Sequence, residues 1–465
     1  MESRTMKFIA GACAGKQSGG SPDLQVSGVC TDSRRPQAGE LFVALRGERC
    51  DGHNFLHDAI ANGATAVMVE RKKIPAKLPK CAVITVSNTR KALGRLAASY
   101  RKDFSLPIFV VGGSNGKTTT KDLIASVLRR KLATLWSNAS FNNDIGVPLT
   151  LLRLEKSHQV AVMEAGTNHP GELAPLVKMI RPEHGVITNI GREHLEFFGD
   201  MAGVVEEEGW LAELLPAEGK LFLDGDNQWT PPIIRRTRAT VVRVGLADSN
   251  DWRAGNIRLN NHSISFRVEA PEEKFSGEYR VNLLGRHQAV NALFAIAIGA
   301  ESGLSREEIQ HGLAECKPPD MRLQLWECNG VRVLDDAYNA NADSTLAALQ
   351  TLRDLPCNGR RVAVLGDMAE LGAHSQAAHA EMGRCTAELG IAQLFAVGKM
   401  ASVMARAARE AGLNRVFEFT DVESAGAAVK KFVKTGDTLL LKASRATQLE
   451  RISKILRAED AAGRN

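Results

Sequence analysis

The chain has 465 residues, of which 44% are hydrophobic, 24% charged and only 5% aromatic, and its formal net charge is +6. This length predicts two or three domains rather than one core, and the hydrophobic content excludes a disordered chain. The few aromatic residues and the dispersed basic residues argue against nucleic-acid binding. No apolar run approaches ~20 residues, which argues against membrane insertion. The cysteines are not paired in the sequence, which argues against a zinc site or a disulfide framework.

The first two predicted blocks alternate strand and helix signals. Residues 1–105 contain short β-rich segments at 40–45 and 66–69 with a helix-like stretch between them, which is typical of a small α/β domain. Residues 106–318 open with the apolar run 108–111, a glycine-rich loop, and a segment at 121–128 with apolar residues at helical spacing. Further buried strands are predicted at 160–163 and 185–190, which indicates a doubly wound, mostly parallel sheet.

A third block follows the break at Lys317-Pro-Pro-Asp320 and covers residues 319–465. Its strands are predicted at 331–334, 361–365, 394–397 and 438–441, again alternating with helical segments. This pattern predicts a Rossmann-like α/β domain. The fold class expected for the whole chain is therefore α/β, with three domains.

A phosphate-binding loop is predicted between the first strand and the first helix of the central block. In Gly112-Gly-Ser-Asn-Gly-Lys-Thr-Thr119 the glycines allow backbone N–H groups to turn towards an anion, and the following helix adds its positive N-terminal end. Lys117 supplies a charge for the β- and γ-phosphates, and the Thr118 hydroxyl can bind Mg²⁺. The loop is a shorter variant of GxxxxGK[ST], and an ordinary glycine turn is the alternative. A nucleoside triphosphate is the expected ligand.

Acidic and imidazole side chains follow two other predicted strands of the central block. Glu164 ends one of them, and His194 follows the other within Thr188-Asn-Ile-Gly-Arg-Glu-His-Leu-Glu196. Because ligands of open α/β sheets bind at the carboxyl ends of strands, both residues are expected to reach the same metal. A solvated carboxylate and a core histidine are the alternatives. Asn291, in a predicted apolar helix, can bind adenine or cap a turn.

Several longer segments resemble the Mur ligases of peptidoglycan synthesis over essentially the whole chain. They are GGSNGKTTTK, FNNDIGVPLTLL, MEAGTNHPGEL, TNIGREHLEFFG and GRHQAVNAL. Three more, LDDAYNANADS at 334–344, LGDMAELG at 365–372 and LKASRATQLE at 441–450, resemble the branch that adds D-alanyl-D-alanine to UDP-N-acetylmuramoyl-tripeptide. The amino-terminal TDSRRPQAGELFVALRGERCDGHNF resembles the uridine-nucleotide domain that this branch shares with a neighbouring one.

The resemblance implies a ligase that uses ATP and Mg²⁺ to activate the tripeptide carboxylate as an acyl phosphate, which the amine of D-alanyl-D-alanine then attacks. It implies that the first domain holds UDP-N-acetylmuramoyl-tripeptide, and that ATP lies between the central domain and a C-terminal domain that closes over it and binds the dipeptide. Two Mg²⁺ ions are expected, one held by Thr118 and Glu164, the second with help from His194. A cytoplasmic monomer without nucleic-acid partners or membrane insertion is expected.

The resemblance also assigns the remaining site residues. Those expected at ATP are Gly113, Ser114, Asn115, Gly116, Lys117, Thr118, Thr119, Asn291, Arg322, Asp336 and Tyr338. Those expected at the sugar-nucleotide substrate are Ser33, Arg34, His53, Asn142 and Asn143. For Ser33 and Arg34, a loop cap and a surface charge are the alternatives.

One departure from the family pattern concerns the segment after the histidine motif. The resemblance implies a carbamylated lysine that helps to hold the second Mg²⁺, but this chain has Glu208 before Gly209. Glu208 is therefore expected to be a catalytic carboxylate and metal ligand that is already anionic at neutral pH, given a reference pKa near ~4.3. A solvated acidic helix face over residues 206–208 is the alternative.

Three rival functions remain open from the sequence. A folylpolyglutamate synthase is a ligase of the same superfamily, but the YNAN and GDM segments count against it. A phosphate-loop NTPase that acts as a switch or motor would turn over nucleotide without an amine acceptor. A non-catalytic nucleotide-binding relative is conceivable because the lysine is missing.

Overall fold

The computed structural model describes residues 1–48, 50–75, 77 and 79–462, with side chains up to residue 457. Within these residues every sheet but one small antiparallel pair is flanked by helices in an α/β arrangement. None of the described helices is both long and apolar enough to cross a membrane.

The first block contains a five-stranded sheet and a separate two-stranded pair. The strands are β1 Arg4–Thr5, β2 Lys16–Ser18, β3 Gln25–Val26, β4 Gly28–Cys30, β5 Glu40–Val43, β6 Ala66–Glu70 and β7 Ala82–Val86. The helices are α1 Met6–Cys13, α2 Leu56–Ala61 and α3 Thr89–Arg101. The larger sheet has the order β2-β7-β6-β5-β4 and is parallel except for β2, while β1 and β3 pair antiparallel.

The central block is built on a nine-stranded sheet. Its strands are β8 Ile108–Gly112, β9 Thr134–Trp136, β10 Val160–Glu164, β11 His184–Ile187, β12 Lys220–Asp224, β13 Thr240–Gly245, β14 Trp252–Leu259, β15 Ile264–Glu269 and β16 Gly277–Val281. Its helices are α4 Lys117–Leu128, α5 Gly146–Leu151, α6 Leu173–Ile180, α7 Leu195–Phe198, α8 Met201–Glu213, α9 Thr230–Ile234, α10 Gln288–Glu301 and α11 Arg306–Glu315.

The strand order of the central sheet is β16-β15-β14-β13-β12-β11-β8-β10-β9. The strands from β9 to β14 are parallel, and β8 and β10 are buried along their whole length, as expected for a sheet that is covered on both faces. The antiparallel extension β14–β16 was not predicted from the sequence. Its burial alternates along β15, which is typical of a strand with one covered face.

The third block is a six-stranded sheet with helices on both faces. Its strands are β17 Gln324–Cys328, β18 Val331–Asp336, β19 Arg361–Gly366, β20 Gln393–Val397, β21 Val416–Phe419 and β22 Thr438–Lys442. Its helices are α12 Ala342–Asp354, α13 Ser375–Glu388, α14 Ala401–Glu410, α15 Val422–Phe432 and α16 Glu450–Ala462. The order is β17-β18-β22-β19-β20-β21, and only the edge strand β17 is antiparallel. Short 3₁₀ helices lie at Gly52–Phe55, Arg71–Lys73, Glu273–Phe275, Gly372–His374 and Arg445–Thr447.

The first and central blocks share one hydrophobic core. Helix α3 packs against α5 and α6, and a continuous cluster runs from Met6 and Ile9 to Leu176 and Val177. The buried Tyr100 hydroxyl donates a hydrogen bond of 2.7 Å to the Leu154 carbonyl across this junction. Because separating these blocks would expose apolar surface, the shared core holds them together.

Candidate active site

The site lies where three strands of the central sheet end. Strand β8 lies between β10 and β11. The connections that follow β8 and β11 contact the third block, through Asn115 and Arg192 respectively. A cavity of ≈ 1030 Å³ lies there, lined by residues of both blocks. The order of the strands changes direction at β8, and this is where open α/β sheets bind their ligands.

The predicted phosphate loop connects β8 to α4. Gly113 has φ 103° and Gly116 has φ 81°, conformations that favour glycine. A Cβ atom on Gly113 would lie 2.5 Å from Thr188 Oγ1, so the close approach of the β11 connection also requires glycine there. Ser114, Asn115, Gly116, Lys117, Thr118 and Thr119 all line the cavity. The loop therefore has both the backbone shape and the position that phosphate binding needs.

Lys117 is held among carbonyls and carboxylates. Its Nζ donates to the Gly113 carbonyl at 2.5 Å and the Ser114 carbonyl at 3.2 Å, and lies 3.4 Å from Glu193 Oε2. Burial alone would lower the pKa of Lys117, but the negative charges of Glu193, Glu208 and Glu164 outweigh it and raise the pKa. The ammonium therefore stays charged and can attract phosphate oxygens.

Glu164 is oriented by a neighbouring amide. The residue is only 1% exposed, and its Oε1 accepts a hydrogen bond of 2.8 Å from Asn142 Nδ2, whereas its Oε2 is buried without a partner. Asn142, Glu164 and the buried Thr118 line the cavity together. Asn143 behaves differently: its Oδ1 accepts the N–H groups of Ile145 and Gly146 at the start of α5. Asn143 is thus a turn cap, and it is not among the described residues that line the cavity.

The three successive glutamates of α8 have three different environments. Glu206 is exposed and pairs with Arg236, so only this residue fits the alternative of a solvated face. Glu207 is buried and accepts the N–H groups of Gly171 and Leu173. Glu208 is 1% exposed and its Oε2 accepts the Gly113 N–H at 2.7 Å, while its Oε1 is buried without a partner.

Glu208 therefore contacts the backbone of the phosphate loop through the Gly113 N–H. It is not among the described residues that line the cavity. Burial raises the pKa of Glu208 to about 8, and the Glu193 charge adds to this effect, although Lys117 and the Gly113 N–H oppose it. This direction opposes the expected ionised carboxylate, which stays a prediction for the site with its cation bound.

His194 and Glu193 extend from the connection that follows β11. His194 Nδ1 shares a hydrogen bond with Glu370 of the third block, and its Nε2 lies 3.9 Å from Glu193 Oε2. The histidine is thus oriented from across the domain boundary. Glu193 is 5% exposed, lines the cavity and has one buried oxygen without a partner. The sequence analysis missed Glu193, although its place directly before His194 was a usable signal.

The third block supplies the opposite wall of the cavity. Asp336 Oδ2 pairs with Lys442 Nζ at 2.6 Å, and burial raises the pKa of Asp336 against the opposing effect of this lysine. The guanidinium of Arg322 lies 4.2 Å from the ring centre of Tyr338, in a cation–π contact. Asn291 reaches the cavity from α10 in the central block. Lys442, at the carboxyl end of β22, was also missed in the sequence, where the LKAS segment was its only signal.

Polar contacts join the central and third blocks next to the phosphate loop. Arg192 donates through its backbone N–H and Nε to Asp343 at 2.7 Å and 2.8 Å, and its two terminal nitrogens contact Glu381 at 2.6 Å and 3.2 Å. The Asn341 amide donates to Asn115 Oδ1 at 2.9 Å. These contacts fix the Gly191–His194 connection between the two blocks.

The predicted first-domain residues lie outside this cavity. Arg34 is exposed and pairs with Asp32, and the Ser33 carbonyl accepts a hydrogen bond from the Asn62 side chain. His53 is buried, with Nδ1 bound to Asp51 and Nε2 accepting the Glu70 N–H. Because both ring nitrogens are used within the domain, we revise the expectation for His53 from a ligand contact to a residue that shapes its loop.

The carboxyl groups near Lys117 fit a divalent cation in part. Glu164 Oε2, Glu193 Oε1 and Glu208 Oε1 are buried oxygens without partners, and such groups normally have one. In the part of the chain that the structure describes, no three His, Cys, Asp or Glu side chains are grouped so that they could hold a metal by themselves. A cation here would therefore take further ligands from phosphate and water, as Mg²⁺ commonly does.

Comparisons with known proteins agree along the chain. It matches the Mur ligase middle domain over residues 111–299, the Mur ligase, glutamate ligase domain over 321–445 and the Mur ligase family, catalytic domain over 25–101. A UDP-N-acetylmuramoyl-tripeptide--D-alanyl-D-alanine ligase of Escherichia coli (strain K12) is 37% identical over 93% of this chain and 94% of its own length.

Two solved structures are similar over nearly the whole chain. MurF from Acinetobacter baumannii has a TM-score of 0.89 and 32% identity, and covers 98% of this chain and 99% of its own. The MurF ligase from Thermotoga maritima, solved in complex with ADP, has a TM-score of 0.79 and 26% identity, and covers 94% of this chain and 98% of its own.

Proposed function

Because the chain belongs to the Mur ligase family, we propose that it is the ATP-dependent ligase that joins D-alanyl-D-alanine to UDP-N-acetylmuramoyl-tripeptide in peptidoglycan precursor synthesis. One observation carries this proposal: a single cavity combines the phosphate loop with Glu164 and His194 of the central block and with Asp336 and Tyr338 of the third block. A nucleotide that binds there contacts both blocks at once.

The nucleotide is proposed to bind with its phosphates at the loop. Lys117 and the N-terminal end of α4 face the β- and γ-phosphates, where Thr118 and Thr119 follow directly. Arg322, Asp336 and Tyr338 contact the nucleotide from the opposite wall, and Asn291 contacts it from α10. The similar MurF ligase from Thermotoga maritima was solved in complex with ADP, which supports binding of an adenine nucleotide by this chain.

Mg²⁺ is proposed as the metal, with Thr118, Glu164 and His194 as its protein ligands. Glu164 offers a buried oxygen that has no other partner, and Asn142 keeps the other oxygen in place. When bound, Mg²⁺ neutralises the charge that develops on the transferred phosphoryl group and helps to align it. We further propose that two Mg²⁺ ions bind, and we consider a direct bond from Glu208 to one of them. A role for Glu208 through the Gly113 N–H fits its buried position better.

The proposed reaction has two steps. The terminal carboxylate of the tripeptide attacks the γ-phosphorus of ATP, and the bond to ADP breaks, which gives an acyl phosphate. The amine of D-alanyl-D-alanine then attacks the acyl carbon, and the tetrahedral intermediate loses phosphate and a proton to leave an amide. Lys117 stabilises the negative charge in the first step. Ser140 Oγ and Tyr338 Oη share a hydrogen bond of 2.6 Å that joins the two walls of the cavity. Closure of the two blocks is proposed to keep water from the acyl phosphate.

The other substrates and the setting complete the proposal. The first block, residues 1–105, is proposed to hold the sugar nucleotide with Ser33 and Arg34 near its uridine diphosphate. The third block, residues 319–465, is proposed to receive the dipeptide, and residues 106–318 to bind ATP. We also propose a cytoplasmic monomer, as the resemblance to the family implies.

The test is an assay of phosphate release with ATP, Mg²⁺ and UDP-N-acetylmuramoyl-tripeptide, run with and without D-alanyl-D-alanine. Phosphate release is expected only when the dipeptide is present, and mass spectrometry should detect the pentapeptide product. L-alanyl-L-alanine serves as a control acceptor. Equal phosphate release without any dipeptide would show a nucleotide hydrolase and overturn the proposal.

A further inference from the structure

Three buried carboxyl groups lie near the partly buried ammonium of Lys117, at the phosphate loop. Glu164, Glu193 and Glu208 are 1%, 5% and 1% exposed, and each has one oxygen without a partner. Lys117 is the cation whose charge interacts with all three. Lys117 thus supplies one positive charge to three carboxyl groups. Because an uncompensated buried charge is costly, this group is incomplete without further positive charge.

Glu193 and Glu208 differ in the direction from which they approach this group. Glu208 comes from α8 and binds the Gly113 N–H, on the side of the loop away from the cavity lining. Glu193 lines the cavity, and its Oε2 is 3.4 Å from Lys117 Nζ while its Oε1 has no partner. Glu193, unlike Glu208, thus combines an unpaired carboxylate oxygen with a place on the cavity wall next to the phosphate lysine. Glu164, already proposed as a metal ligand, shares both features.

We propose that Glu193 is a further carboxylate ligand of the divalent cation that enters with the nucleotide, and that Glu208 acts on the same site through the phosphate loop. This inference rests on the proposed nucleotide binding by the cavity. It assigns to a residue of the β11 connection the negative charge that the family resemblance assigns to a modified lysine on α8.

The backbone around Glu193 is held on both sides, as a ligand position requires. Gly191 donates its N–H to Ser114 Oγ at 2.8 Å, which ties the connection to the phosphate loop. Arg192 is bound to Asp343 and Glu381 of the third block. The carboxylate is therefore placed by contacts on both walls of the cavity, and only its one free oxygen remains for a cation.

The rival role for Glu193 is that of a counter-ion for Lys117. The two roles differ in what happens when the charge is removed. A lost metal ligand weakens cation binding, whereas a lost counter-ion frees Lys117 to bind phosphate and strengthens nucleotide binding without metal. The counter-ion role requires only the Lys117 ammonium, which lies 3.4 Å from Glu193 Oε2, and it leaves the unpaired Oε1 unexplained.

The test measures binding of Mn²⁺, a paramagnetic substitute for Mg²⁺, to the full-length chain in the presence of ADP by electron paramagnetic resonance. Glu193→Gln is expected to weaken Mn²⁺ binding by roughly ten-fold or more. Loss of a residue that only orients a metal ligand already costs about that much, and loss of a ligand itself should cost at least as much. Glu206→Gln removes an exposed carboxylate from α8 and is the matched control, expected to bind Mn²⁺ like the wild type. Glu208→Gln is expected to weaken Mn²⁺ binding less than Glu193→Gln.

The outcomes separate the two roles. Mn²⁺ affinity that is unchanged in Glu193→Gln, with tighter binding of metal-free ADP, would overturn the proposal in favour of a counter-ion. Thermal unfolding checks that the variants fold, and Glu193→Asp, which keeps the charge on a shorter side chain, should lose less Mn²⁺ affinity than Glu193→Gln. If the wild type binds Mn²⁺ with ADP but lacks dipeptide-dependent phosphate release, the proposed reaction fails and the ligand assignment does not.

Discussion

Replacing Arg192 tests whether the closed arrangement of the central and third blocks is needed for turnover. The side chain forms two-pronged pairs with Asp343 and Glu381, and it is 33% exposed. Exposed ion pairs are typically worth about 0.2–1 kcal/mol each, and the forked geometry favours the upper end. Arg192→Ala is therefore expected to weaken the interface by about 1–2 kcal/mol. Such a change shifts the ratio of closed to open molecules by a factor of roughly 5–30.

The assay combines steady-state kinetics with small-angle X-ray scattering in the presence of a non-hydrolysable ATP analogue. We expect kcat to fall by up to roughly 5–30-fold, with the full factor where open molecules predominate, and the radius of gyration to increase, since fewer molecules are closed. Arg236→Ala is the matched control, because Arg236 also bridges two carboxylates, Glu206 and Glu213, but within the central block. Arg192→Lys should recover part of the loss, because lysine keeps the charge without the fork.

A particular result would refute this reasoning. If Arg192→Ala has the wild-type kcat and the wild-type radius of gyration, then the contacts between the blocks do not stabilise the catalytic state. The same conclusion follows if Arg236→Ala reduces kcat as strongly, because the effect would then come from lost packing or folding stability.

Three further predictions concern the groups around the phosphate loop. Lys117→Ala should reduce turnover on the order of 10²–10³-fold with the fold intact, because it removes the charge facing the transferred phosphate; near-normal turnover would exclude that role. Burial raises the pKa of Glu208 from 4.5 to about 8. Between these two pH values the folded state binds more protons than the unfolded state, so the free energy of unfolding of the wild type falls as pH rises. Glu208→Gln cannot ionise, so its stability relative to the wild type in urea unfolding with EDTA should improve from pH 5 to pH 8; a constant difference would contradict the buried, raised pKa. Turnover should not respond to added bicarbonate, since glutamates need no CO₂ adduct; stimulation by bicarbonate would point to a modified lysine instead.

Much of the phosphate site followed from residues that are neighbours in the chain. The apolar run 108–111 became β8, and the helical spacing over 121–128 lies within α4. Gly113 and Gly116 adopt the positive φ angles that such a loop requires. The three-domain α/β fold was also predicted correctly, because buried parallel strands and amphipathic helices leave patterns within short windows. The antiparallel strands β14–β16 were missed, since pairing direction depends on the connection between strands.

The glutamates show what only the tertiary structure decided. The sequence identified Glu208 as the departure from the family pattern, but it could not tell which of three adjacent glutamates is exposed, because that depends on how α8 is rotated against its neighbours. The pairing of Arg192 with residues 151 and 189 positions away, and the resulting place of Glu193 on the cavity wall, required the third block to be docked. Local sequence determines backbone conformation over a few residues, whereas burial, charge and pKa arise from groups that meet only when distant segments pack together.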